Sequence, residues 1–216
     1  MSKPLLQIAL DQTSLPEALS VTRKLADEVD VLEAGTILCA AEGAPSVVSV
    51  LRSLYPSHII LADLKVADAG SVIAEMVFSN GATWMTVICA APIATMISAK
   101  KVADSYQGEL QIELYGEWTY GQAESWLQEG ITQAIYHRGR DAEAAGQKWS
   151  QSDIDKIVHL ADMGMSVSVT GGLTPDDIRR FKGIPVKCFI AGRSLGNAEN
   201  PVAEAEAFRN EIEKYW

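Results

Sequence analysis

Short apolar runs alternate with longer amphipathic segments along the whole chain. The runs predict eight strands, at 5–11, 29–35, 58–65, 84–90, 109–115, 131–138, 166–172 and 186–194. Helical patterns lie between them, such as the stretch from Ser14 to Glu28 with its Ser/Pro start and the stretch from Thr119 to Glu129 that stops at Gly130. Glycines at 81, 108, 130, 164 and 183 mark joins from helix to strand. A strand-then-helix unit repeated eight times, with no run of consecutive strands, implies parallel pairing and an α/β fold, the closed (β/α)8 TIM barrel. A doubly wound open sheet is the alternative. It would normally carry a Gly-rich first turn, whereas this first turn reads Asp11-Gln-Thr-Ser.

Alternation within the strands adds a direction. One parity is apolar: Leu6, Ile8 and Leu10; Leu32 and Ala34; Ile60, Ala62 and Leu64; Ile112 and Leu114; Ala134 and Tyr136; Val167 and Val169. The other carries Gln7 and Asp11, Glu33, Asp63 and Lys65, Gln111 and Glu113, Gln133 and His137, and Ser168 and Thr170. Side chains two apart share a face of a strand, so the first set is expected under the helices and the second in the bore. The polar set crowds toward the C-terminal strand ends, where active sites of this fold sit.

Composition narrows the setting. A chain of 216 residues, 48% apolar and 21% charged, can bury one core as a globular domain. No linker or low-complexity tract divides it, so a single domain over residues 1–216 is expected. The net charge of −10 argues against nucleic acid or an anionic membrane surface as the main partner, and leaves a small anionic substrate open. Cys39, Cys89 and Cys188 are scattered in apolar runs and read as buried free thiols of a reducing compartment. With no cleavage-site pattern after Met1 and no apolar stretch of membrane length, a cytoplasmic protein is expected.

The candidate chemistry centres on Asp63-Leu-Lys-Val-Ala-Asp68, where a buried strand ends in charge. Glu33 and Asp63 come from neighbouring strands at matching expected depth. As hard oxygen ligands they suit Mg²⁺, which seldom takes an all-protein cage; equally, they could only neutralise Lys65. Lys65, between Asp63 and Asp68, should stay protonated, which suits it to stabilising developing negative charge rather than forming a Schiff base. The segments Val169-Thr-Gly-Gly172 and Ile190-Ala-Gly-Arg193 close the last two strands, where barrels of this kind commonly bind phosphate through backbone N–H groups, with Arg193 as a fork. His137 has inward parity beside Arg138 and Arg140, and Glu113 could orient one of them. His58 and His159 read as structural.

These segments, with Leu6-Gln-Ile-Ala-Leu-Asp11, Val31-Leu-Glu-Ala-Gly-Thr36 and His137-Arg-Gly-Arg-Asp141, together resemble the 3-keto-L-gulonate 6-phosphate decarboxylases of the orotidine 5′-monophosphate decarboxylase superfamily. The resemblance covers essentially the whole chain. The superfamily also includes the 3-hexulose-6-phosphate synthases, which join formaldehyde to D-ribulose 5-phosphate. Glu113, Arg140 and Thr170 match the decarboxylase branch, whereas Leu64 departs from it toward the synthases. The resemblance implies a Mg²⁺-dependent decarboxylase of sugar-acid catabolism, including L-ascorbate breakdown, working through a cis-enediolate. It implies Glu33 and Asp63 as metal ligands, and Lys65 and Asp68 beside the intermediate. His137 and Arg140 would deliver a proton through water. Substrate would be held by Asp11, Thr170, Gly171, Gly172, Gly192 and Arg193, the last three on its phosphate. It further implies a homodimer in which Asp68 reaches the partner's site. A non-catalytic sugar-phosphate-binding barrel would not need the full charge set.

Overall fold

The computed structural model describes residues 2–216. Eight parallel strands close into a barrel in sequence order: β1 (Leu5–Leu10), β2 (Val31–Ala34), β3 (Ile59–Val66), β4 (Trp84–Ile88), β5 (Glu109–Leu114), β6 (Gln133–His137), β7 (Ser166–Thr170) and β8 (Val186–Ala191). β8 pairs back onto β1 through Leu5 and Cys188. Around them run α1 (Leu15–Leu25), α2 (Thr36–Glu42), α3 (Ala44–Leu54), α4 (Gly70–Phe78), α5 (Ile93–Ser105), α6 (Tyr120–Gln128), α7 (Arg140–Ala144), α8 (Gln151–Asp162), α9 (Arg193–Gly196) and α10 (Pro201–Tyr215). A 3₁₀ turn, Pro175–Phe181, replaces a full helix after β7.

Local signals explain the helix starts. Thr119 caps α6 and Ser150 caps α8, each in a reciprocal capping box with the residue three further on, Gln122 and Asp153. The helix expected over 14–28 divides into α1 and a 3₁₀ turn, Ala26–Glu28. No single helix is long and apolar enough to cross a membrane.

Two apolar layers follow from strand parity. Leu6, Ile8, Ile60, Ala62, Ile112, Ala134 and Val167 pack outward under the helices in the larger core. Val31, Leu61, Trp84, Ile135, Cys188 and Ile190 fill the bore. The inward polar residues divide, and only some reach the mouth. Gln7, Gln111, Gln133 and Ser168 are buried inside the barrel, with the Gln111 amide donating to Gln133 at 2.8 Å. They sit too early in their strands to reach the C-terminal rim.

All the strands but β3, which runs one residue further, stop one to three residues earlier than the apolar pattern suggests. Asp11, Gly35, Arg138, Gly171, Gly172 and Gly192 lie beyond the ladders, in the turns, and Arg193 opens α9. Gly171 and Gly172 take φ of 118° and 57°, the left-handed region that ends regular pairing and favours glycine. The largest departure is in β3. Its register with β4 jumps from Ala62↔Met85 to Val66↔Val87, so Asp63, Leu64 and Lys65 together face Thr86. Three residues here oppose one, a larger bulge than the usual two against one, and Lys65 carries a φ of 45° within it.

Candidate active site

The C-terminal mouth of the barrel opens into a cavity of about 720 Å³. Its walls bring together Asp11, Glu33, Asp63, Lys65, Glu113, His137, Arg140, Thr170, Gly171, Gly172, Gly192 and Arg193. Asp68 is the exception among the residues singled out from sequence. It is exposed in the turn between β3 and α4, outside the lining of its own chain's pocket.

Depth also differs from expectation. β2 and β3 pair Glu33 with Leu61, which sets Asp63 two residues further along its strand, about 6.6 Å at the usual rise. Glu33 is therefore the deeper carboxylate, held by the Gln7 amide at 2.6 Å. Asp63 is higher and fully engaged. Its Oδ1 accepts from the Thr86 hydroxyl at 2.7 Å, and its Oδ2 meets the Lys65 ammonium and the Thr36 hydroxyl, the latter at 2.8 Å. Thr36 also lies 2.9 Å from Lys65 Nζ.

Lys65 is the cation of this cluster, with Glu113 Oε1 3.8 Å away on its other side. Burial opposes its charge, but Glu113, Asp63 and Glu33 outweigh that and hold its pKa above the ordinary lysine value. Burial also works against Asp63, yet the Lys65 charge and the donated hydrogen bonds keep its carboxyl below the usual range. Glu33 goes the other way: burial first, then the charges of Asp63 and Asp11, push it well up. Asp11 is raised by burial and by Asp63. The mouth thus holds more carboxylate than one ammonium balances.

Glu113 connects Lys65 to His137, whose Nδ1 hydrogen-bonds its carboxylate. That engages one ring nitrogen and leaves Nε2 for the pocket. The Tyr115 ring packs edge-on to His137 at 5.3 Å between centroids. Arg140 opens α7 and lines the same wall. The Thr170 hydroxyl donates to the carbonyl of Ile190 at 3.2 Å, tying the β7 turn to β8 beside Gly192 and Arg193. His58 and His159 serve packing, the first bonded to the Ala26 carbonyl and the second against Tyr120.

Several contributors escaped the sequence reading. Thr36 begins α2 directly after the glycine that ends the β2 turn, and Thr86 has inward parity on β4, the signal that would have found it. Tyr115, just past β5, and Glu143, within the short α7, also line the pocket, where Arg138, already singled out with His137 and Arg140, joins them.

The donor set bears on a metal. All the carboxylates are hard oxygen donors, and the raised Glu33 marks a place where added positive charge would be welcome. Among the described residues no three His, Cys, Asp or Glu side chains are arranged to hold an ion. The residues fit a cation that takes two carboxylates and completes its shell with water and substrate oxygens, the usual habit of Mg²⁺.

Comparison with known proteins agrees with this fold. Residues 4–208 match the family described as Orotidine 5'-phosphate decarboxylase / HUMPS. A 3-keto-L-gulonate-6-phosphate decarboxylase of Salmonella paratyphi B is 50% identical over 216 residues, all of both chains. The crystal structure of KGPDC from Streptococcus mutans in complex with a sugar phosphate superposes with a TM-score of 0.97 at 48% identity, covering 100% of each chain. That of the 3-keto-L-gulonate-6-phosphate decarboxylase from Vibrio cholerae gives 0.94 at 50% identity, again with both chains fully covered.

Proposed function

The chain belongs to the Orotidine 5'-phosphate decarboxylase / HUMPS family, and on that premise we propose that it decarboxylates 3-keto-L-gulonate 6-phosphate to L-xylulose 5-phosphate and CO₂, in the catabolism of L-ascorbate or related sugar acids. The observation that carries this reading is the Lys65 ammonium held in the mouth between Asp63 and Glu113, with Glu113 also engaging His137. The sugar-phosphate complex of the Streptococcus mutans relative supports a ligand of the same class here.

The substrate is a β-keto acid. When its C–CO₂ bond breaks, the electron pair moves onto the adjacent carbonyl and leaves a cis-enediolate and free CO₂. Lys65 stands where that negative charge develops, already charged and already oriented, so no reorganisation is needed at the moment of reaction. Thr36, Thr86 and Asp63 fix its position, and Asp11 and Thr170 orient substrate hydroxyls. The substrate phosphate is received by the Gly172 and Gly192 backbone and by Arg193. Carbon is then reprotonated through a water held by His137, whose ring Glu113 aligns, and by Arg140. Glu33 and Asp63 would hold Mg²⁺, which would supply further positive charge to the developing enediolate.

Asp68, exposed and outside its own pocket, supports a homodimer in which it completes the partner's site. Activity should then fall on dilution in step with dissociation measured by sedimentation.

The deciding experiment is CO₂ release from 3-keto-L-gulonate 6-phosphate, run beside formaldehyde consumption with D-ribulose 5-phosphate. Turnover should be lost in EDTA and return with Mg²⁺, and the keto acid should be the faster substrate. No CO₂ under any Mg²⁺ concentration would end the proposal.

A further inference from the structure

Beside the last two strand ends, the place assigned to the phosphate is taken by a carboxylate of the chain itself. Glu143 reaches back from α7 so that its Oε2 accepts from Arg193 Nη2 at 3.2 Å. Its other oxygen, Oε1, lies 4.0 Å from Arg138 Nη2. The same carboxylate covers Gly172 closely enough that a Cβ there would collide with Oε1 and with the Arg138 guanidinium. Arg138 is itself held in place, by the Gln147 carbonyl at 3.1 Å and the Trp149 ring at 5.5 Å. Two guanidinium groups and a bare glycine backbone form a cradle for an anion, and Glu143 is the anion in it.

We propose that Glu143 is an internal competitor for the phosphate cradle: it holds Arg193 while the site is free and is displaced when the substrate phosphate arrives. This rests on reading Gly172, Gly192 and Arg193 as the phosphate site. The physical case is simple. One guanidinium fork cannot serve two anions in the same place, and a phosphate dianion with three acceptor oxygens outcompetes a single carboxylate. Glu143 is only part-buried, its side chain one-third exposed, so it can swing to solvent without leaving a buried charge unpaired. Its presence therefore weakens anion binding by the strength of a part-exposed ion pair plus residual repulsion.

The test is the Kd of inorganic phosphate, measured by calorimetry on the full chain, which needs no turnover. Glu143→Gln, and Glu143→Ala to remove the residual amide, should each tighten phosphate by roughly 1.5- to fivefold, the range an exposed ion pair allows. The gain should shrink as NaCl screens the charges. Arg193→Ala should weaken phosphate in both the parent and the Glu143→Gln background. If Arg193→Ala leaves the Kd unchanged, the cradle itself is misplaced and the inference goes with it. If Arg193→Ala weakens phosphate but the Glu143 variants bind it equally or less tightly, Glu143 is a support for Arg193 and the inference alone is overturned.

Discussion

The backbone N–H of Lys65 donates to Oγ1 of Thr86 at 2.8 Å, while that same hydroxyl donates to Asp63. One threonine on β4 thereby satisfies the bulge in β3 and clamps both charged residues that the bulge presents. A lysine at φ 45° is uncommon, and it persists here because its backbone and its side chain are both tied down.

Thr86→Val keeps the shape and removes the hydroxyl. The Lys65 N–H then loses its acceptor and Asp63 loses a donor, at a cost of about 1–3 kcal/mol for a buried unsatisfied group. A lower Tm and a lower kcat are expected, with Thr86→Ser recovering most of both. An unchanged Tm in Thr86→Val would mean that the bulge stands without this bond.

Lys65→Ala removes the only ammonium lining the mouth among the described residues and leaves Asp63 and Glu113 facing each other's charge. The rate should fall roughly a hundredfold or more, the usual effect of deleting one preorganised electrostatic partner. Steady-state kinetics on protein shown to be folded by circular dichroism would check it. Residual activity near the parent value would move the charge stabilisation elsewhere.

Glu113→Gln keeps the size of the side chain and removes the charge that both Lys65 and His137 face. A fall in kcat with KM nearly unchanged is expected, because the residue orients groups rather than binding substrate. His137→Ala should cost at least as much, about a hundredfold if His137 serves in proton transfer. A rise in KM with kcat preserved would assign Glu113 to substrate binding instead.

Thiol chemistry reads out the electrostatics of the same region. Burial, then the charges of Asp63, Glu33 and Asp11, push the Cys39 thiol up to about 12. Burial raises Cys89 and, more strongly, Cys188. A raised thiol pKa keeps the unreactive protonated form well past pH 8. Native protein at pH 8 should resist a disulfide-exchange reagent, and all three cysteines should react once guanidinium unfolds it. Fast labelling of Cys39 in the native state would contradict the burial of α2 against the carboxylates.

Period-two alternation made the strands legible, since a residue in a barrel strand faces either bore or helices and its polarity records which. It placed Asp11, Glu33, Lys65, Glu113 and His137 on the bore side, and the two glycine turns at the last strand ends. The same rule overreached for Gln7, Gln111, Gln133 and Ser168, because parity fixes a face without fixing height along the barrel. It also could not show the offset of Glu33 and Asp63, which depends on the register between two strands and not on the alternation within either.

Local pattern and chain geometry suffice for the repeating strand-helix architecture, the inward parity of the charged set and the glycines of the strand-end turns. The tertiary structure decided which charges meet. The bulge opposite Thr86, the bond from Glu113 to His137 and the reach of Glu143 to Arg193 all join segments whose contact depends on barrel closure and loop path. No local periodicity records those distances, since they are set by where the closed sheet brings its strand ends.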